Sequence, residues 1–323
     1  MQCCLLFAGS KMGITKKWAL AVIIIILVLP VLLNYHPEQP VEGLRETYSY
    51  PESEFLDLMG MPVHYRRAGK GPVLLLLHGT GATLHTWEGW TAELRDSFEV
   101  VSVTLPAFGL TGPHPYGDYS IPAYVDFLEA FAKKLGLKRF HLAGNSLGGL
   151  IAWEYALAHP ERVQKLVLLN ASGWPRKKEM PLALRLARIP VFKQLLQRIT
   201  PKALFSKSLR EVYANPDRIS DTLVDRYFDL FLREGNRRAY VQRLNQPHQP
   251  DLARLSGLKK PTLILWGEQD AWIPVANAHR FHEVLPNSQL MVYPDAGHVP
   301  MEEWPVRTAE DVRVFLSRPS HFR

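Results

Sequence analysis

Short apolar runs recur along this chain, separated by longer segments whose apolar residues follow helical spacing. This alternation restricts the possible fold more than any other feature of the sequence. Val73-Leu74-Leu75-Leu76-Leu77 is the plainest run, and Val100–Leu105, Phe140–Ala143, Val163–Leu169, Thr262–Trp266 and Leu290–Tyr293 repeat it. A strand that is apolar at every position has both faces buried. Helical patterns fill the gaps at Ile121–Leu135, Leu147–Ala158 (stopped by Pro160), Ala276–Leu285 and Thr308–Leu316. The pattern predicts an α/β fold, a mostly parallel sheet with helices on both faces. Its ligand site belongs at the carboxyl ends of the strands. Upstream, Phe55–Met59 and Val63–Arg67 flank Gly60-Met61-Pro62 and predict an opening hairpin.

Two stretches break the pattern. Residues 174–254 are helical in pattern and strand-free, and they hold 17 Lys and Arg against 8 Asp and Glu. The rest of the chain holds 21 against 23, so the net charge of +7 belongs to this insert. It is expected to form a helical cap within one domain spanning 54–323. The other stretch is the N-terminus. Lys11, Lys16 and Lys17 precede an uncharged apolar run from Trp18 to Leu33, followed by a Pro- and Glu-rich linker over 37–53. The run is somewhat shorter than the roughly 20 residues of a bilayer span, but Thr15 and Tyr35 extend it. Residues 1–36 are therefore expected to be a membrane anchor, a single N-terminal helix. The lysines place the N-terminus in the cytoplasm and the main domain on the exported side. A cleaved signal peptide, giving a secreted protein, is the alternative. The two cysteines, Cys3 and Cys4, are adjacent and offer neither a disulfide framework nor a metal site.

Gly144-Asn145-Ser146-Leu147-Gly148 is a G-x-S-x-G sequence. With glycine at about 7% of residues, chance supplies the bare pattern roughly once in ten such chains. Its setting is more specific: a predicted strand, Phe140–Ala143, leads into it and a predicted helix, Leu147–Ala158, leaves it. A serine hydroxyl needs a base to become a nucleophile. In this motif class the chain order is Ser, then Asp or Glu, then His. Asp270 follows the strand Thr262–Trp266, and His298 follows Leu290–Tyr293, so both lie at the same sheet edge as Ser146. His298 is the candidate base and Asp270 the candidate acid that orients it. Glu268 is a competing acid, and Asp295 is expected to shape the loop before His298. An oxyanion hole requires two backbone N–H groups, expected from Leu147 and from Thr80 in the loop His78-Gly79-Thr80-Gly81-Ala82. His78 is expected to brace that loop. No cofactor or metal is needed for this chemistry.

On these residues the chain resembles the α/β-hydrolase superfamily, in particular its branch with a helical cap. The resemblance runs from Val73 to Trp304. It rests on His78-Gly79-Thr80 with Trp87 and Trp90, Leu105-Pro106-Ala107-Phe108-Gly109, the Ser146 elbow, Gly267 to Asp270 with Pro274, and Gly297-His298 with Glu302, Glu303 and Pro305. It implies an eight-stranded sheet and hydrolysis of esters or related bonds. The family's usual Asp-x-Pro-Gly-x-Gly segment reads Thr104-Leu105-Pro106-Ala107-Phe108-Gly109 here, without the aspartate and one glycine. That segment is normally structural. Dehalogenases and epoxide hydrolases of the branch carry aspartate at the elbow, so Ser146 argues against both. Meta-cleavage carbon–carbon hydrolases often carry a similar Gly-Asn-Ser elbow followed by Gly-Gly, and they remain a competing function.

The expected activity is hydrolysis of a carboxylic ester with an apolar acyl group, on a small-molecule or lipid substrate. Carbon–carbon hydrolysis and a non-catalytic ligand-binding role are the alternatives. In the insert, Leu182, Leu184, Leu186, Ile189, Val191, Phe192, Leu195 and Leu196 alternate with Arg185, Arg188, Lys193 and Arg198. Such a stretch either lies on an anionic membrane or packs its apolar side on the core. No recognised nucleic-acid-binding motif accompanies the charge, so nucleic acid is not an expected partner.

Overall fold

The computed structural model describes Trp18, residues 34–174, Ile189, residues 200–246 and residues 250–319. Eight strands form one sheet: β1 (Ser53–Leu58), β2 (Met61–Ala68), β3 (Val73–Leu77), β4 (Glu99–Val103), β5 (Phe140–Asn145), β6 (Val163–Leu169), β7 (Thr262–Gly267) and β8 (Ser288–Tyr293). Their spatial order is β1-β2-β4-β3-β5-β6-β7-β8. The β1/β2 and β2/β4 pairs are antiparallel and the remaining pairs parallel. The sheet is mostly parallel, as the alternating runs predicted, and has the eight strands that the family resemblance implied.

Helices cover both faces: α1 (Val41–Tyr48), α2 (Glu88–Leu94), α3 (Ile121–Lys134), α4 (Leu147–Ala158), α5 (Lys202–Arg210), α6 (Asp221–Leu232), α7 (Asn236–Asn245), α8 (Ala276–Val284), α9 (Pro300–Glu303) and α10 (Pro305–Ser317). The continuous apolar runs have a simple cause. Leu75 and Leu77 face one core with α3, α4 and α8, while Leu74 and Leu76 face a second core with α2 and α10. The same split divides Leu166 and Leu168 from Val167 and Leu169. Alternate side chains of a strand point to opposite faces, so a strand between two cores is apolar throughout. Local signals set the helix ends: the Ser120 side chain accepts from Ala123 N at the start of α3, and α4 stops before Pro160.

Between β6 and β7 the described residues form α5, α6 and α7 with short 3-10 turns and no strand. The Leu182–Leu196 series lies outside the described residues, apart from Ile189. Among the described residues no helix is long and apolar enough to cross a membrane. The Trp18–Leu33 run, Trp18 excepted, also lies outside them. The stretch expected as a linker instead contains α1. Val41 and Leu44 are buried against Leu110 and Leu230, because Val41, Leu44 and Tyr48 form one face at helical spacing.

Candidate active site

The turn from β5 to α4 is as sharp as its glycines suggest. A Cβ on Gly144 would sit 2.2 Å from Gly148 O, and one on Gly148 would sit 2.2 Å from Leu77 O. Neither position admits a side chain. Between them Ser146 has φ 54° and ψ −111°, a sparsely populated conformation for a residue with a Cβ. Such backbone costs of order 1–3 kcal/mol and persists only where its surroundings hold it. Here they do so through Ser146 N to Leu169 O (3.0 Å) and through Leu150 N and Ser172 N, which both donate to Ser146 O.

Asp270 and His298 meet. His298 Nδ1 lies 2.7 Å from Asp270 Oδ2, and both residues are buried. Three further donors hold the carboxylate: Asn170 Nδ2 on Oδ2 at 2.7 Å, and Trp272 N and Ile273 N on Oδ1 at 2.7 and 2.8 Å. Burial opposes the charge on Asp270. The neighbouring His298 and these hydrogen bonds outweigh it and hold the carboxyl below its usual range. Glu268, the competing acid, is exposed, and Asp295 pairs with Arg307 at 3.1 Å. Neither approaches His298 through a hydrogen bond.

Ser146 and His298 share no hydrogen bond. They are tied through Asn145, whose Nδ2 donates to His298 O at 2.9 Å and to Leu169 O at 3.2 Å. The loop after β3 closes on the same point. A Cβ on Gly79 would lie 3.1 Å from Ser146 Cβ, which places the following residue, Thr80, beside the elbow. The Leu147 N–H is the first of α4 and has no acceptor within the helix. His78 braces the loop: Leu105 N donates to its Nε2 at 2.9 Å, so Nδ1 carries the proton and donates to Gly79 O at 2.8 Å. Burial pushes His78 down to about 4, which keeps this neutral tautomer.

A cavity of about 180 Å³ opens over these residues. Gly79, Thr80, Asn145 and His298 form its floor. Leu204, Phe205, Leu209, Phe231 and Val241 from α5–α7 form its apolar walls. The described lining contains no Lys, Arg, Asp or Glu. Trp272 lines it and stacks on the His298 imidazole, with centroids 6.1 Å apart and planes at 23°. Among the described residues no three His, Cys, Asp or Glu side chains cluster as metal ligands would.

Several contributors were not legible in the sequence. Asn170, with φ 44°, follows β6 and grips Asp270 from there. The segment between β6 and β7 is bonded to the His298 loop itself. His298 N donates to Val212 O at 2.7 Å, and the Glu303 carboxylate accepts from Gly297 N at 2.6 Å and from Ala214 N at 2.8 Å. Tyr213 and Tyr227 of the same segment both donate to Glu302 at 2.5 Å. Glu302 and Glu303 stood out in the sequence only through the family resemblance, with no sign of what they hold.

The fold agrees with comparisons to known proteins. The family model for the alpha/beta hydrolase fold matches residues 72–305. The chain belongs to the α/β-hydrolase fold family. It is 30% identical over 281 residues to an uncharacterised protein of Mycobacterium tuberculosis, covering 82% of this chain and 81% of that one. It is 28% identical over 263 residues to the monoacylglycerol lipase ABHD6 of Mus musculus, covering 78% and 77% of the two chains. Over 248 residues it is 27% identical to a 2-hydroxy-6-oxononadienedioate/2-hydroxy-6-oxononatrienedioate hydrolase of Pseudomonas putida, covering 74% and 86%. Among solved structures, a bacterial membrane phospholipase A superposes with a TM-score of 0.70 at 26% identity, covering 93% of this chain and 98% of that one.

Proposed function

We propose that this protein is a serine hydrolase that cleaves carboxylic esters with an apolar acyl group. The observation that carries the reading is the buried Asp270–His298 pair at 2.7 Å, bonded through Asn145 to the strained Ser146 elbow and open to an apolar cavity. In this reading Asp270 holds the Nδ1 proton, which leaves Nε2 as the base. Ser146 Oγ attacks the ester carbonyl as Nε2 takes its proton. The tetrahedral oxyanion receives the Thr80 and Leu147 backbone N–H groups. Nε2 then protonates the departing alcohol, leaving an acyl-enzyme. Water, deprotonated by the same nitrogen, releases the acid and restores Ser146. The missing Ser146–His298 hydrogen bond is compatible with this, since such bonds often tighten only with substrate in place.

The lining favours esters over the carbon–carbon reading. The Pseudomonas putida relative acts, by its name, on a dioate. A dicarboxylate calls for cationic partners in a dry site, and the described lining offers none. The likeness to a monoacylglycerol lipase and to a membrane phospholipase A supports a lipid ester. Residues 1–36 we read as a membrane anchor that leaves the hydrolase domain on the exported side.

A fluorophosphonate probe tests the core of the proposal. It should label the wild type and fail to label Ser146→Ala. A folded wild type that takes no label would refute the reading. Among p-nitrophenyl esters, kcat/KM should rise with acyl length. A preference for dicarboxylic diketones over all esters would favour carbon–carbon hydrolysis.

A further inference from the structure

We infer that the end of the cap formed by α5 and the adjoining face of α6 lies on an anionic lipid bilayer, and that acyl chains enter the cavity from that bilayer. This rests on the reading of residues 1–36 as a membrane anchor, and it assigns that anchor a second task, which is to aim the cavity mouth.

The argument begins with where the chain goes after the apolar run. The run ends at Leu33, and from His36 onward the backbone is fastened to the cap. The His36 ring meets Phe228 of α6 edge-on, with centroids 5.0 Å apart. Gln39 pairs with the end of α6 through Gln39 N to Leu232 O and Glu234 N to Gln39 O, both 2.9 Å. The two carboxylate oxygens of Asp229 then clamp the strap, taking Gln39 Nε2 at 2.9 Å and Tyr48 Oη at 2.6 Å. A free tether would leave the domain to tumble beneath its anchor. This one is held by the helix that helps roof the cavity. Only Asn34 and Tyr35 stand between the apolar run and His36 in the sequence.

The cavity mouth is at the same place. Phe228 packs on Phe205 of α5, with centroids 5.3 Å apart, and Phe205 lines the cavity. Leu204 lines it too, yet is 42% exposed, which marks the opening. One aromatic ring therefore separates the strap from the mouth. Around the opening α5 carries Lys202, Lys207 and Arg210, and on α6 Asp225 pairs with Lys202 at 2.6 Å and Asp221 with Arg210 at 3.5 Å. Lys207 is therefore the cation of this face that meets the headgroups, and one such cation near an anionic leaflet is worth about fivefold in binding. An exposed Leu beside lysines is the arrangement of an interfacial helix: apolar tips enter the acyl boundary and cations meet the headgroups.

The test uses the full chain with Cys3→Ser and Cys4→Ser, reconstituted into vesicles of phosphatidylcholine and phosphatidylglycerol. Ala203→Cys on α5, or Val314→Cys on α10, carries an environment-sensitive fluorophore. Both positions are exposed. Doxyl lipid should quench the label at 203 at least threefold more than the label at 314. Equal quenching would overturn the proposal, as would a full chain that does not float with vesicles. Quenching that followed protein density instead of doxyl lipid would mean a second copy covers this face, and would also overturn it. None of these readouts needs turnover, so they stand apart from fluorophosphonate labelling of Ser146. As a second arm, Lys207→Glu should hydrolyse a soluble short ester at the wild-type rate and a vesicle-borne long-chain ester at least fivefold more slowly. An equal rate on both would count against the charged face.

Discussion

Asp270→Asn keeps the volume of the side chain and exchanges one acceptor for an NH₂ group. Four donors converge on the carboxylate: His298 Nδ1 and Asn170 Nδ2 on one oxygen, Trp272 N and Ile273 N on the other. An amide satisfies only one of these sides. If its oxygen stays on the two backbone N–H groups, its NH₂ confronts Asn170 Nδ2, which keeps Gly297 O at 3.3 Å, and His298 Nδ1. The imidazole is then driven to the tautomer with Nε2 protonated, which cannot accept the Ser146 proton. If the amide is reversed, two buried backbone N–H groups lose their acceptor, at about 1–3 kcal/mol each. The first arrangement is the cheaper one, so the variant folds and fails in chemistry. An acid-to-amide change that preserves triad geometry lowers kcat about 10⁴-fold, or about 5.4 kcal/mol of transition-state stabilisation. The assay is kcat/KM on p-nitrophenyl butyrate at pH 8, with circular dichroism to verify folding. A folded D270N protein within tenfold of wild type would refute the assignment of Asp270. Glu268→Gln, which alters an exposed side chain, should retain full activity in the same assay.

Three further predictions concern stability. Lys165 is buried in β6, and its Nζ donates to Phe315 O (2.8 Å), Leu316 O (3.0 Å) and Arg318 O (2.5 Å), which closes the end of α10. Lys165→Met should cost about 3 kcal/mol in urea unfolding and leave activity per folded molecule unchanged. Ala107 occupies φ 83°, a left-handed conformation that favours glycine. Ala107→Gly should stabilise by about 1 kcal/mol, read as a higher denaturant midpoint. Burial, followed by the nearby His85 and Arg45, pushes His64 down to about 3. The unfolded chain binds a proton near pH 6.5 that the folded chain refuses, so this contribution is complete above that pH and is lost as pH falls. It amounts to about 2 kcal/mol between pH 7.5 and 5. The slope of the urea midpoint against pH should be shallower in His64→Phe, and an unchanged slope would remove His64 as its source.

The strands were legible because their cause is local and repeated. Val73–Leu77 and Leu166–Leu169 sit between two cores, so every position is apolar and no phase has to be inferred. Helix α4 was legible to the residue, since the elbow begins it and Pro160 ends it. Helix α1 was not. Its apolar face is short, and it is stable only against Leu110 and Leu230, which lie far away in the sequence. Isolated helices of that length are marginal in water.

The sequence by itself determined the architecture and the elbow. Periodicity and steric demand are properties of neighbouring residues, and glycines at 144 and 148 leave the backbone between them few alternatives. It also narrowed the acid and base to residues at one sheet edge. Only the tertiary structure decided how Asp270 is held. Asn170 grips it across an interval of 100 residues, and nothing in a linear pattern distinguishes a loop asparagine that holds a carboxylate from one that faces water. The same holds for Asn145, which joins the elbow to the His298 loop, and for Asp229, which clamps the N-terminal strap onto α6. Each acts through a directional contact a few ångströms long between segments brought together only by folding.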